Sequence, residues 1–213
     1  MSHHCLQYHY AATASLMSTT VARLACQNIK HLIHSIATFM ILSDTEIHNL
    51  IQHHAMVQNH LPELVNPASL DVRLGNLIMI ESAEGLDMKP FSIANATQSK
   101  PYMLKPGQFI LAQTIEIFNM PESIAGLFFL KSSRAREGYE NLHAGYADPG
   151  WHGSSLTLEL KNSRQIQSLP LWPGLKIGQM VFFKMSCKPA ISYATIGHYN
   201  GDLTTTASKQ IGC

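Results

Sequence analysis

The segment Leu156-Thr157-Leu158-Glu159-Leu160 alternates strictly between leucine and polar side chains. Successive side chains of a β-strand point to opposite faces, so the three leucines share one face and Thr157 shares the other with Glu159. The segment therefore predicts a half-buried strand with one carboxylate on its more polar face. A glutamate in that position is most often simply solvated, so its meaning depends on the neighbouring sequence.

Strand patterns of the same kind occur on both sides of this segment and are separated by Pro and Gly turns. They cover residues 70–74, 77–81, 102–104, 109–118, 126–130 and 180–185, with turn signals at 105–107 and 172–174. Many short strands joined by such turns predict a mainly β fold, either a barrel or a sandwich. Ahead of them, Ser43 and Glu46 have the spacing of a capping box, which predicts a short helix over residues 44–54.

The composition indicates one domain without a strongly charged surface. The chain has 213 residues, 46% of them hydrophobic, and a formal net charge of +1 at pH 7. There is no basic stripe for nucleic acid, and no apolar run reaches the roughly 18 residues that span a bilayer, so we expect neither partner. The cysteines form no CxxC pair, and we expect free thiols and a cytoplasmic location.

Residues 1–39 differ from the rest of the chain. They contain no Asp or Glu, and their only cations apart from histidine are Arg23 and Lys30. An acid-free leader that contains many Ser and Thr residues resembles a transit peptide, but those are usually rich in Arg. We expect a non-essential N-terminal extension, or a start codon assigned too early, with the folded domain at residues 40–213.

A cluster of cations and hydroxyl groups precedes the alternating segment. The run Lys131-Ser132-Ser133-Arg134-Ala135-Arg136 supplies three cations and two hydroxyls, and Asp148-Pro149-Gly150 follows as a turn sequence. Cations and hydroxyls suit phosphate groups, whereas an isolated carboxylate suits proton transfer. Each feature alone would fit a polar loop or a solvated face. Together they indicate a nucleotide site that carries chemistry at Glu159.

Taken in this order, the motifs resemble the dCTP deaminase branch of the trimeric dUTPase-like family. The resemblance covers residues 40 to about 209 and rests on the stretches 40–44, 66–75, 104–109, 120–122, 131–136, 148–153, 157–162 and 173–179. It implies a dUTPase-like β-barrel, a distorted jelly roll, with a short N-terminal helix. It also implies a homotrimer with sites shared between subunits, and a C-terminal tail that closes over each site.

The resemblance further implies a reaction. Glu159 would act as general base and acid, activating a water for attack on C4 of the cytosine of dCTP and then assisting the departure of ammonia. Ser132 and Arg136 would orient that water and hold the developing charge. This deamination would need no zinc, and the sequence has neither the HxE nor the CxxC signature of zinc-dependent base deaminases.

The implied nucleotide contacts extend beyond the reacting group. The 131–136 segment would hold the triphosphate, with Mg²⁺ bound through the phosphates and no protein metal site. Asp148 would accept a hydrogen bond from the 3′-hydroxyl, and dTTP would be the inhibitor to test. The full implied set is Lys131, Ser132, Ser133, Arg134, Arg136, Asp148, the backbone of Thr157 and Leu158, Glu159, and the tail residues Tyr193, His198 and Asp202.

Three departures from the family pattern affect these expectations. In the tail, His198 stands in place of a Lys, and Asp202 lies near a usual Gln, so that a carboxylate would face the phosphates. The stretch Ala144-Gly145-Tyr146 resembles bifunctional members, in which a small Gly would leave space for a second water, although His143 replaces a usual Thr. One extra residue in Ser154-Ser155 suggests a β-bulge.

These features leave four functions open. The first expectation is deamination of dCTP to dUTP and ammonia, which would feed dUMP and dTTP synthesis. The second is a bifunctional enzyme that releases dUMP and pyrophosphate from dCTP. The Asp-Pro-Gly-Trp-His-Gly turn disfavours a plain dUTPase. The complete set of Ser132, Arg136 and Glu159 disfavours a non-catalytic nucleotide-binding homologue.

Overall fold

The computed structural model describes residues 40–83 and 87–209, so the expectations for residues 1–39 lie outside the described residues. None of the helices in the described ranges is long and apolar enough to cross a membrane.

In chain order the elements are β1 (Met40–Ile41), α1 (Asp44–His54), β2 (Val57–Gln58), a 3₁₀ helix (Pro62–Leu64), β3 (Val65–Asn66), β4 (Ser69–Glu81), β5 (Met88–Ser92), β6 (Tyr102–Leu104), β7 (Phe109–Asn119), β8 (Ile124–Leu130), α2 (Ser132–Glu137), β9 (Tyr139–Asn141), β10 (Tyr146–Ala147), β11 (His152–Asn162), β12 (Leu169–Leu171), β13 (Lys176–Lys184) and α3 (Tyr193–Ile196).

Eleven of the strands in the described ranges form one curled antiparallel sheet. Its main order is β10-β8-β13-β4-β7-β11-β9, and β1, β2, β3 and β5 pair with strands along this path. β12 pairs separately with β6. The predicted mainly β fold is therefore confirmed.

β4 joins the two halves of the sheet, because its first part pairs with β13 and its second part with β5 and β7. The register against β7 shifts between Leu74 and Ile78. Within this interval, a Cβ added at Gly75 would lie 2.7 Å from the Gln113 Cγ. The sequence predicts one strand that ends before Gly75 and a second strand that begins after it, and this prediction is wrong. The glycine lets a single 13-residue strand pass close to β7.

The core is built from the alternating apolar side chains of these strands. In β11, Leu156, Leu158 and Leu160 are buried, as the alternation predicted, while Thr157 and Glu159 are only partly buried on the other face. Full burial of each such leucine contributes about 1.5–3 kcal/mol. β11 pairs with β7 along its length and with β9 at its end, so the position of Glu159 is fixed by the sheet.

The predicted capping box and helix are confirmed at α1. The Ser43 side chain accepts from the Glu46 N–H, and the Glu46 carboxylate accepts from the Ser43 N–H at 3.0 Å. Hydrogen bonds from the backbone and side chain of Ser43 hold the pKa of Glu46 below its usual value. The helix buries Ile47 and Ile51, which ties the N-terminal end of the described chain to the core.

A buried ion pair links β4 to β7. Arg73 Nε lies 2.7 Å from the Glu116 Oε1, and the Arg73 N–H donates to the other carboxylate oxygen at 2.8 Å. The Glu116 side chain is fully buried, and Arg73 also donates to the Asn59 carbonyl. Removing one partner of such a pair typically costs about 3–5 kcal/mol, because it leaves the other charge buried and unpaired. This pair stabilises the sheet and lies outside the motifs that the sequence singled out.

Candidate active site

The polar face of β11 forms one wall of a large cavity, which we call the β11 cavity. Its volume is about 1270 Å³, enough for a ligand of nucleotide size. Thr157 and Glu159 contribute the β11 wall. The other walls come from the facing ends of β4 and β5, from the region of β10 and the following turn, and from the C-terminal tail.

Glu159 enters this cavity with one oxygen unsatisfied. Its Oε2 atom is buried and has no hydrogen-bond partner among the described residues. Burial raises the pKa of the Glu159 carboxyl, and a hydrogen bond from its own backbone N–H opposes this only in part. A buried polar atom without a partner is costly, so this oxygen favours a proton, a water or a ligand donor. These are the properties of a group that exchanges protons with a bound molecule.

The turn from Asp148 to Trp151 places a second carboxylate on the cavity wall. The Trp151 N–H donates to the Asp148 carbonyl at 3.1 Å, and Gly150 has a φ of 88°, so the predicted turn is confirmed. A Cβ at Gly150 would lie 2.1 Å from the Ser192 Oγ, so only glycine lets the start of α3 pack against the turn. Burial raises the pKa of Asp148.

The C-terminal tail lies across the start of β11, where the predicted bulge is confirmed. The register of β11 against β7 shifts twice before Thr157. Polar groups of the bulge hold the tail, because the Ser155 N–H donates to the Asp202 carbonyl at 2.9 Å and the Ser154 Oγ donates to the Tyr199 carbonyl at 2.8 Å. The extra residue in this part of the chain therefore helps to seat the tail beside the cavity.

Lys209 forms an ion pair with Asp202, the tail carboxylate that the sequence leads us to expect beside the phosphates. Its Nζ lies 2.9 Å and 2.7 Å from the two Asp202 carboxylate oxygens and donates to the His198 carbonyl at 2.8 Å. The same ammonium lies 5.1 Å from the Tyr199 ring centroid. Asp202 therefore does not present an uncompensated charge. No sequence pattern predicts the role of Lys209, because this contact forms within an irregular segment without periodicity.

One chain brings together only part of the predicted site. Of the predicted residues, those that line the β11 cavity are Asp148, Thr157, Glu159, Tyr193 and Asp202. Leu158 has its side chain in the core, and His198 contributes its carbonyl to the tail contact without lining the cavity. The remaining predicted residues, Lys131, Ser132, Ser133, Arg134 and Arg136, lie outside this wall.

The residues of the 131–136 segment are either exposed or paired with carboxylates outside the β11 cavity. Ser132, Ser133 and Arg136 are exposed. Lys131 donates to the carboxylate of Asp71, and Arg134 forms an ion pair of 2.8 Å with Glu137. On one chain the two hydroxyls and the Arg136 guanidinium are thus exposed, and they do not line the cavity that contains Glu159.

The β11 cavity has an acidic wall. Its charged lining residues are Glu81, Asp87, Asp148, Glu159 and Asp202, and no Lys, Arg or His of the described residues lines it. Lys209 compensates Asp202 alone. A polyanion would be repelled by the other carboxylates in their ionised form, so a phosphate ligand would need cations from outside this wall.

The stretch from Ala144 to Tyr146 divides between cavity and core. Ala144 and Tyr146 line the cavity, and Gly145 is buried against β8. A Cβ at Gly145 would lie 2.6 Å from the Phe128 Cβ, and the Phe128 N–H donates to the Gly145 carbonyl at 2.8 Å. The glycine therefore allows this stretch to pack closely against β8. Burial and the charge of Asp148 raise the pKa of Tyr146, which faces the cavity.

Known proteins similar to this chain point to one family. A family profile described as dCTP deaminase-like matches residues 41–185. The protein named dCTP deaminase, dUMP-forming, from Nocardia farcinica is 34% identical over 185 residues, covering 80% of this chain and 91% of the relative. The protein of the same name from Sulfurihydrogenibium sp. is 35% identical over 178 residues, covering 80% of this chain and 97% of the relative.

A solved structure supports the fold. The 2′-deoxycytidine 5′-triphosphate deaminase from Agrobacterium tumefaciens matches with a TM-score of 0.57 at 20% identity. The match covers 69% of this chain and 48% of that chain. At this identity the likeness concerns the fold alone, and the predicted dUTPase-like fold class is confirmed.

We expect Glu159→Gln to stabilise the folded protein at neutral pH. Burial raises the folded-state pKa of Glu159 above its unfolded value, so the folded chain binds more protons at this group. The stability of the wild-type protein should therefore fall as pH rises through the interval between the two pKa values. The neutral amide removes this contribution. Denaturant midpoints of both proteins, measured from acidic to neutral pH, provide the test.

Glu63→Gln is the matched control, because Glu63 is an exposed carboxylate. Its midpoints should follow those of the wild type at every pH. If the midpoints of Glu159→Gln also follow the wild type throughout, the Glu159 carboxyl is effectively solvated and burial does not raise its pKa.

Proposed function

This chain belongs to the dCTP deaminase-like family, and we propose that it converts dCTP directly to dUMP with release of ammonia and pyrophosphate. The observation that carries the proposal is the unpaired oxygen of Glu159 in the β11 cavity. From the sequence alone, the first expectation is deamination of dCTP to dUTP. The names of the relatives, dCTP deaminase, dUMP-forming, favour the bifunctional alternative instead.

In the deamination step, Glu159 takes a proton from a water whose oxygen attacks C4 of the cytosine. The carboxyl then passes a proton to the amino nitrogen, the C4–N bond breaks, and ammonia leaves. The water oxygen remains as the uracil carbonyl, and the second proton of the water ends on N3 of the ring. The pKa of Glu159 is raised by burial, which suits a carboxyl that must both accept and donate a proton in turn.

In the second step, a water attacks the α-phosphorus and the bond to the bridging oxygen of the β-phosphate breaks. The products are dUMP and pyrophosphate. Ala144 and Tyr146 lie on the cavity wall together with Asp148, in the stretch that resembles the bifunctional members. This placement supports a role for that stretch in the choice between dUTP and dUMP as product.

Magnesium fits this site as an ion carried by the substrate. Within residues 40–83 and 87–209, no group of three or more His, Cys, Asp or Glu side chains is placed to hold a metal ion. Mg²⁺ prefers phosphate oxygens, waters and one or two carboxylates, and the cavity supplies carboxylates such as Asp148. When bound through the triphosphate, Mg²⁺ would neutralise phosphate charge next to the acidic wall.

The same wall offers contacts for the sugar and for the base. Asp148 would accept a hydrogen bond from the 3′-hydroxyl of the deoxyribose. The Glu159 carbonyl accepts from the Leu142 N–H at 3.2 Å, so the backbone groups of Glu159 point to the edge of β11 that faces β9. Backbone groups of alternate residues point to the same edge of a strand, so those of Thr157 point there too, beyond the residues that pair with β9. This geometry supports a base contact from the backbone of Thr157. It argues against one from Leu158, whose backbone faces β7 by the same alternation.

The acidic wall, together with the trimeric family that the sequence resembles, leads us to propose a homotrimer in which a neighbouring subunit completes each site. The triphosphate needs cations, and those of the 131–136 segment lie outside the cavity of their own chain. Ser132 and Arg136 are exposed and free to reach another copy. There they would orient the water that Glu159 activates and hold the developing charge, while Ser133 and Arg134 would lie near the phosphates.

The products formed from dCTP test the proposed reaction. Incubation with dCTP and Mg²⁺ should give ammonia, pyrophosphate and dUMP in equal amounts. Glu159→Gln should abolish ammonia release while retaining dCTP binding, because the amide cannot accept the water proton. Glu63→Gln is the control and should match the wild type. Product analysis by anion-exchange chromatography and an ammonia assay provide the measurement.

Each other outcome of this assay contradicts the proposal in a recognisable way. Ammonia with dUTP as the end product indicates the monofunctional deaminase. Pyrophosphate formed only from dUTP indicates a dUTPase, and binding without turnover indicates a nucleotide-binding homologue. Turnover retained by Glu159→Gln would remove Glu159 from the role assigned here.

Subunit mixing tests whether the site is shared. Glu159→Gln and Arg136→Ala should each be inactive alone, and co-expressed subunits should regain part of the dCTP turnover, because some sites then combine intact Glu159 with intact Arg136. The matched control pairs Arg136→Ala with Ser132→Ala. These two changes affect the same segment, so every mixed site keeps a defect and no activity should return.

If Glu159→Gln mixed with Arg136→Ala stays as inactive as the control pair, each site is contained within one subunit. That result would contradict the shared site even if the wild-type protein deaminates dCTP.

A further inference from the structure

We propose that Asp71 and Lys131 form a positioning pair for the segment that carries Ser132 and Arg136, and that Lys131 is not a phosphate ligand. This inference rests on the proposed function and changes one role within it. The family resemblance implied that Lys131 contacts the triphosphate. The contacts around its ammonium group point elsewhere.

The ammonium of Lys131 is held by a buried carboxylate. Its Nζ lies 2.6 Å from each of the two Asp71 oxygens, and Asp71 is only 4% exposed. The Asn66 side-chain amide also donates to Asp71, at 2.8 Å. If Lys131 turned away to a phosphate, Asp71 would keep a single neutral donor among these contacts, and its buried charge would lose its cation. Such a charge is strongly destabilising, so the ammonium is committed to Asp71.

The backbone of Lys131 is fixed as well. Its N–H donates to the Ile177 carbonyl at 3.1 Å, and its carbonyl accepts from the Ala135 N–H at 3.0 Å. Lys131 is the N-cap residue of α2, with extended backbone angles. It therefore ties the beginning of α2 to β13 through the main chain and to β4 through the side chain.

The functional side chains follow directly after this anchor. Ser132 and Arg136 belong to a six-residue helix, which has little stability of its own, so its orientation depends on how its ends are held. Both side chains are exposed, with Ser132 directly after the anchor and Arg136 about one turn further along the helix. A shift of about 1 Å in catalytic groups can cost about 100-fold in rate, so loss of the anchor should reduce turnover without removing a contact to the nucleotide.

Three variants test the pair: Asp71→Asn, Lys131→Met and the double variant. On our proposal the two single variants lower kcat by a similar factor, on the order of 100-fold. The double variant should be no worse than either, because both changes disrupt one interaction. The affinity for dCTP relative to dCMP should stay that of the wild type in all three. Hydrogen exchange of the amides in residues 132–138 should be faster in both single variants.

A direct phosphate contact by Lys131 predicts the opposite pattern. Lys131→Met would then weaken dCTP binding much more than dCMP binding, and Asp71→Asn, which frees the ammonium, would strengthen it. Unequal kcat losses, additive losses in the double variant or unchanged hydrogen exchange would also overturn the proposal. The double variant contains no unpaired buried charge, so it keeps the test decisive if a single variant folds poorly.

Glu116→Gln is the matched control. It alters another buried ion pair between a strand carboxylate and a cation, but Glu116 contacts β4 and not the 131–136 segment. It should lower thermal stability and leave kcat unchanged when assayed below its unfolding transition. The exchange measurement needs no turnover. If the wild-type protein does not act on dCTP, the proposed function fails, while exchange in residues 132–138 still decides whether Asp71 and Lys131 anchor the segment.

Discussion

The carboxyl of Glu159 keeps a buried oxygen that no described residue satisfies, and the rest of the site is arranged around that atom. The alternation of β11 buries three leucines and thereby turns Glu159 into the cavity. The cavity wall adds further carboxylates and no cation of the described residues. A triphosphate is compatible with this wall only if cations arrive from elsewhere, which is why electrostatics, more than shape, favours a site shared between copies of the chain.

Function and stability oppose each other at this site. Burial of Glu159 raises its pKa, which suits proton transfer but makes the ionised form unfavourable in the folded protein. Elsewhere in the chain, carboxylates are stabilised by ion pairs with a Lys or an Arg. Glu116 has Arg73, Asp71 has Lys131, and Asp202 has Lys209. Among these carboxylates, Glu159 is distinguished by an oxygen left open for a ligand.

Local features were predictable because their physical signals lie within a few residues. The capping box at Ser43, the alternation around Glu159, the turn at Asp148 and the bulge at Ser154 are all confirmed. The break predicted at Gly75 was wrong, because the sequence does not show that Gln113 of another strand packs there. The pairing of Lys131 with Asp71, 60 residues away, and of Lys209 with Asp202 depends on tertiary geometry that no periodicity encodes.

A crystal structure of the Glu159→Gln protein with dCTP and Mg²⁺ tests the role of position 159 most directly. We predict that the side chain at position 159 lies within hydrogen-bonding distance of the 4-amino group of the cytosine or of a water beside C4. We also predict that Ser132 and Arg136 of a neighbouring subunit face the same base. A cytosine bound away from position 159 would contradict the catalytic role of Glu159, and a 131–136 segment turned away from the nucleotide in every subunit would contradict the shared site.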